Sequence, residues 1–166
     1  MAKARTGTGR AAVDSLLEQL DEAYDHQSWH GSNLRGSLRG LTVDQALWRP
    51  APDRHNAWEI VTHAAYWKYA AWRRLTGERR GAFPRKGSNW FPSPPSPSEA
   101  QWKEDVALLG EFHRRLRQAV DGLSDASLRR KAPGGKETVG RLVRGVAAHD
   151  LYHAGQVQLL KRLLHS

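Results

Sequence analysis

Cysteine is absent from this chain of 166 residues. That excludes disulfides, cysteine-held iron–sulfur clusters and any thiolate nucleophile or metal ligand supplied by the protein. No stretch approaches the roughly 18 apolar residues of a bilayer-spanning helix, and no membrane role is expected. The opening Met1–Arg10 is polar and basic and lacks the apolar segment of a signal peptide. A soluble, cytoplasmic protein is expected, with residues 1–10 as a flexible arm and 11–166 as one domain large enough to bury a substantial core. Acidic residues are also scarce: 17 Asp and Glu face 26 Lys and Arg, for a net charge of +9. Much of the excess falls in residues 68–86, with Lys68, Arg73, Arg74, Arg79, Arg80, Arg85 and Lys86 against Glu78 alone. That run reads as a solvated helix end whose cations complement the dipole. With no nucleic-acid motif beside it, basicity supplies only generic attraction, and no specific nucleic-acid partner is predicted.

The apolar residues that are present recur at spacings of three and four, the period of helices rather than strands. Val13, Leu16, Leu17, Leu20, Tyr24 and Gln27 predict a first helix over about 11–29. Thr42 and Gln45 read as the two ends of a capping box on a short turn, which Pro50 and Pro52 then stop. Asn56 as N-cap and Glu59 three residues later open a second helix, to about 76, with Ile60, His63, Ala64, Trp67 and Ala71 inward. Residues 81–98, rich in Gly, Pro and Ser, predict a stiff crossover. Ser96, Pro97 and Glu99 mark the start of a third helix to about 119, carrying Trp102, Val106, Leu109, Phe112, His113, Leu116 and Val120. Pro133-Gly134-Gly135 precedes a fourth, about 137–164. Four such helices with one long connection describe an all-α four-helix bundle.

The chemistry-bearing pattern lies on the fourth helix. His149 and His153 stand one turn apart, about 6 Å along the axis, and belong to the apolar stripe Val139, Leu142, Val143, Val146, Val157, Leu160 and Leu164. Two imidazoles on adjacent turns of a core stripe need partners, which a shared ion, the leading reading, or a buried hydrogen-bond network supplies. His63 lies in the apolar stripe of the second helix. The three can place one nitrogen each about 2.0–2.2 Å from a common divalent metal, zinc or nickel by the donor set, leaving positions for water or substrate. Asp150, Tyr152 and Gln156 read as helix contacts, wall or supporting groups; Glu59 reads as a cap. His30 and His55 read as exposed loop residues, and His26, His113 and His165 have no ligand constellation. Of the seven tryptophans, Trp58, Trp67, Trp72 and Trp102 are read as helix packing, and Trp29, Trp48 and Trp90 as walls of a pocket or interface.

Ala23-Tyr24 through Trp29-His30-Gly31, Trp48-Arg49-Pro50, His55-Asn56-Ala57-Trp58-Glu59-Ile60-Val61-Thr62-His63 and Gly145 through His149-Asp150-Leu151-Tyr152-His153-Ala154-Gly155-Gln156 together resemble the DinB-like (DinB/YfiT-like) superfamily of metalloenzymes. The resemblance implies an up-down-down-up bundle, frequently a homodimer, with His63, His149 and His153 on the family's metal positions. It further implies a small-molecule substrate. Relatives include transferases using low-molecular-weight thiols. The leading expectation is therefore a metal-dependent transferase that ionises an external thiol for attack on a small electrophile, with no protein cysteine required. A metal-dependent hydrolase would use the same ligands, and a metal-stabilised binding protein is the non-enzymatic alternative.

Overall fold

The computed structural model describes residues 9–164. The expected arm lies almost wholly outside these residues, as does His165. Among the described residues the chain forms α1 (Ala11–Tyr24), α2 (Leu34–Ser37), α3 (Val43–Leu47), α4 (Ala57–Thr76), α5 (Glu99–Asp121), α6 (Asp125–Leu128) and α7 (Val139–Leu163). The fold of the described residues is all-α, with one isolated antiparallel bridge among them, between Lys131 and Thr138. No helix of the described residues is long and apolar enough to cross a membrane.

Local chemistry sets the helix ends. The Asn56 side chain accepts from the Glu59 N–H at 2.9 Å, and Gly77 closes α4 in the left-handed conformation at φ 77°. The Thr42–Gln45 capping box of α3 is present in full. Several boundaries differ from the sequence reading. α1 stops at Tyr24, five residues early. Beyond it the Asn33 amide donates to the His26 carbonyl and the Ser28 hydroxyl to the Gly31 carbonyl, bonds that compete with a continued helix. α5 is capped by Ser98, which accepts from the Gln101 N–H, rather than by Ser96, so Pro97 lies outside it. Thr138 caps α7 in the same way.

The four long helices close a ring: α4 packs on α5 and α7, and α1 packs on the same two. Their interior divides into two apolar clusters. One joins Tyr24, Leu34, the first half of α4 from Ala57 to Ala65, Trp102 and Leu109 of α5, and Ala154, Val157 and Leu160 of α7. The other joins Val13 to Ala23 of α1, Ala71, Leu116, Val120 and the start of α7 from Val139 to Ala147. Between these stretches along α4, α5 and α7 come Lys68, His113 and Asp150, all buried.

Candidate metal centre

α4 and α7 pack against each other and bring His63, His149 and His153 together. One ligand atom from each lies within 4.8 Å of the others. The Nε2 atoms of His63 and His153 each stand 3.0 Å from Nε2 of His149. Tautomers follow from the other side of each ring. His63 Nδ1–H donates to the Asn89 carbonyl at 2.8 Å, an oxygen that can only accept. His153 Nδ1–H donates to Gln156 Oε1 at 2.6 Å, and the Gln156 amide donates in turn to the Tyr152 hydroxyl. Both rings thus turn bare Nε2 lone pairs toward His149. A neutral His149 has one N–H and can satisfy only one of them, while its own Nδ1 is buried without a partner. Three converging imidazoles, two of them held by outer hydrogen bonds, are the donor set of a cation site, and the residues present fit a divalent metal.

The crossover supplies a support that sequence reading missed. Asn89 adopts φ 68°, in the left-handed region that few residues other than glycine enter. From there its carbonyl fixes His63, and its side-chain oxygen accepts from Trp67 Nε1 at 2.9 Å. Its neighbour Trp90 lies between His63 and His55, with ring centroids 3.7 and 3.5 Å away and nearly parallel planes. His55 is an exposed loop residue, as expected, but not a free one: its Nδ1–H also donates to Glu59 Oε2 at 2.9 Å. Glu59 is buried, and Arg49 grips it at 2.6 and 2.9 Å. Its carboxylate is committed to Arg49 and His55, and the N-cap bond uses only its backbone. Burial opposes ionisation of Glu59, yet the bonds from Arg49 and His55 hold its pKa below the ordinary value.

The three histidines are kept neutral. Burial lowers the pKa of His149 to about 3, with the neighbouring rings adding to the effect. It lowers His153 to about 4 against the Gln156 bond. His63 is lowered by burial too, partly offset by its bond to Asn89. Neutral imidazoles are the form a metal requires.

The DinB superfamily profile matches residues 26–157, which is most of the chain and contains all three histidines. The chain belongs to the DinB superfamily. No curated protein and no solved structure matches it.

In this DinB chain a second polar group lies behind the histidines. Lys68 is fully buried, and its ammonium pairs with the fully buried Asp150, the residue after His149. The same ammonium donates to His113 Nδ1 at 3.2 Å and sits 4.8 Å above the Tyr24 ring. Lys68 thus leaves the basic surface run to which the sequence assigned it, and His113 is not isolated. Burial, with the Lys68 charge beside it, lowers the His113 pKa to about 2. Burial raises the Asp150 pKa and Lys68 pulls against that; one Asp150 oxygen has no partner.

Two of the cavities among the described residues of this DinB chain bear on the site. One of about 470 Å³ has His149 and Trp67 in its wall, with Lys136, Glu137, Arg141 and Gly145 around them. Trp67 is partly exposed there rather than packed inside. The other, about 1350 Å³, runs between the corner after α1 and α5. None of the three clustered histidines lines it. Of the other expected walls, Trp48 packs on the first core cluster, whereas Trp29 is fully exposed. His30 and His26 are exposed, His26 beside Asp25.

Proposed function

We propose that this DinB protein is a divalent-metal-dependent transferase that joins a low-molecular-weight thiol to a small electrophile, with His63, His149 and His153 as ligands and zinc or nickel as the ion. The observation that carries the reading is the convergence of three neutral imidazole nitrogens beside an open cavity. A divalent ion held there supplies Lewis acidity that favours the thiolate form of a thiol. The protein's own part is to hold the rings. Asn89 and Gln156 orient His63 and His153, Trp90 backs His63, and the apolar surroundings keep all three unprotonated. The nearby carboxylates are already engaged: Glu137 in the cavity wall is paired with Arg74, and Glu59, one turn before His63 on α4, with Arg49. That favours a nucleophile ionised without a protein base, hence a thiol over water as the attacking group.

The same proposal includes the up-down-down-up bundle. α1 and α7 carry their second-cluster residues first, whereas α4 and α5 carry their first-cluster residues first, an order that supports it. We also place the protein in the cytoplasm as a homodimer. Exposed Leu151, Tyr152 and Leu159 on α7 support the dimer, offering an apolar face for a second copy. Metal analysis of tag-free protein, followed by turnover assays with and without an added thiol, tests the function. One divalent ion per chain and activity needing both metal and thiol is the expected result; turnover without thiol would shift the reading to hydrolysis.

A further inference from the structure

The cavity beside His149 has a directional character that the histidines alone do not give. Arg141, Gly145 and His149 follow one another at intervals of four on α7, so they share a face. Eight residues of helix separate the two ends by about 12 Å. Gly145 lies exposed between them, and a Cβ added there would meet nothing within 4 Å. A trough therefore runs along the helix from the arginine to the imidazole. Trp67 forms its other side, held by its bond to Asn89. At the far end Lys136 and Arg141 line the same cavity. Their backbone N–H groups are bonded, to the Glu137 carboxylate and the Thr138 hydroxyl, whereas the Lys136 ammonium and the Arg141 guanidinium make no bond or ion pair with any described residue. The one acid in the wall, Glu137, is held by Arg74. One end thus presents two uncommitted cations, the middle an aromatic face over a glycine, and the other end the His149 ring, whose Nε2 meets the other two histidines.

We infer that this trough binds an elongated small organic carboxylate, with its anionic end under Lys136 and Arg141, its apolar body between Trp67 and Gly145, and its opposite end at the histidines. The inference rests on the reading of His63, His149 and His153 as a metal site. It assigns charge selection to Lys136 and Arg141 and passage to Gly145.

The test uses full-length protein loaded with cobalt(II), whose visible and near-ultraviolet absorption reports a thiol reaching the ion. The probes are 6-mercaptohexanoate and 6-mercaptohexanol, matched in length and differing in charge. The native protein should bind the carboxylate at least tenfold more tightly, about 1.4 kcal/mol. A Lys136→Gln/Arg141→Gln variant should lose that preference while its affinity for the alcohol is unchanged. Gly145→Leu should take up cobalt stoichiometrically and keep its helical circular dichroism, yet lose affinity for both probes by tenfold or more. Equal affinity of the native protein for the two probes, or a preference that survives the double substitution, overturns the carboxylate assignment and leaves the metal site standing. Native-like probe binding by Gly145→Leu overturns the trough. Failure of the native protein to take up cobalt overturns the histidine reading, and this inference with it.

Discussion

Replacing Lys68 by methionine isolates the energetics of the buried pair behind the histidines. Methionine keeps most of the side-chain length and removes the ammonium that Asp150 and His113 share. Asp150 is fully buried and would face the interior with neither oxygen paired. Breaking a buried pair from one side costs about 3–5 kcal/mol, because the remaining charge must either stay desolvated or take up a proton. For a chain of this size each kcal/mol lowers the melting temperature by about 2–4 °C, so a fall of roughly 10 °C is expected. Urea unfolding followed by tryptophan fluorescence and circular dichroism gives the free energy directly. The companion double variant, Lys68→Met/Asp150→Leu, removes both charges. It should recover most of the loss, since apolar replacements of buried ion pairs are often neutral or stabilising. A cost below about 1 kcal/mol for Lys68→Met, or losses of the single variants that simply add in the double, would refute a strong Lys68–Asp150 coupling.

A His149→Ala/His153→Ala variant should lose stoichiometric metal in elemental analysis, whereas His26→Ala should not, since His26 is exposed and lies outside the cluster. Metal-free protein should lose stability as the pH falls below about 6.5. Burial holds His113 near 2, His149 near 3 and His153 near 4, so in that window the unfolded chain binds protons that the folded chain refuses. Thermal melts from pH 7 to 4 check the sign, and a melting temperature that rises on acidification would contradict it. Asn89→Ala should cost about 1–2 kcal/mol through its left-handed backbone. Asn89→Gly should be milder in the same unfolding assay and retain metal affinity, because the carbonyl that holds His63 belongs to the backbone. Gly145→Ala should raise stability by about 0.5–1 kcal/mol, as expected for an unobstructed helix position, and a clear loss would show a packing constraint.

The long helices were legible because each buries a stripe at helical spacing. Leu109, Phe112 and Leu116, or Val143, Val146 and Val157, are inside as their spacing requires. The histidine cluster was legible for the same reason: burying His63 and His153 followed from their places on those stripes. Lys68 lies on the inner stripe of α4, between Ala64 and Ala71, but its charge argued for solvent. Only the pairing with Asp150, 82 residues away, resolves that conflict, and long-range pairing leaves no local mark. Asn89 and Trp90 were hidden differently. A Gly-, Pro- and Ser-rich crossover has no periodicity, and the sole hint was an Asn two positions after Gly87, a residue type that tolerates a left-handed turn. The early end of α1 likewise depended on side-chain bonds to the backbone that compete with an apolar stripe.

The histidine cluster and the ground before it are built from different materials. His153 is nearly fully buried, clamped by Gln156, and next to Asp150 in the turn that holds His149. Lys136, Arg141 and Gly145 stand on exposed positions that hold up nothing else in the core. Substitutions at those three places can therefore change length, charge and shape selection without disturbing the interior that aligns the imidazoles. Such a division makes the scaffold easy to retune: a library confined to the outer positions would explore new ligand preferences while every member keeps the same histidine cluster.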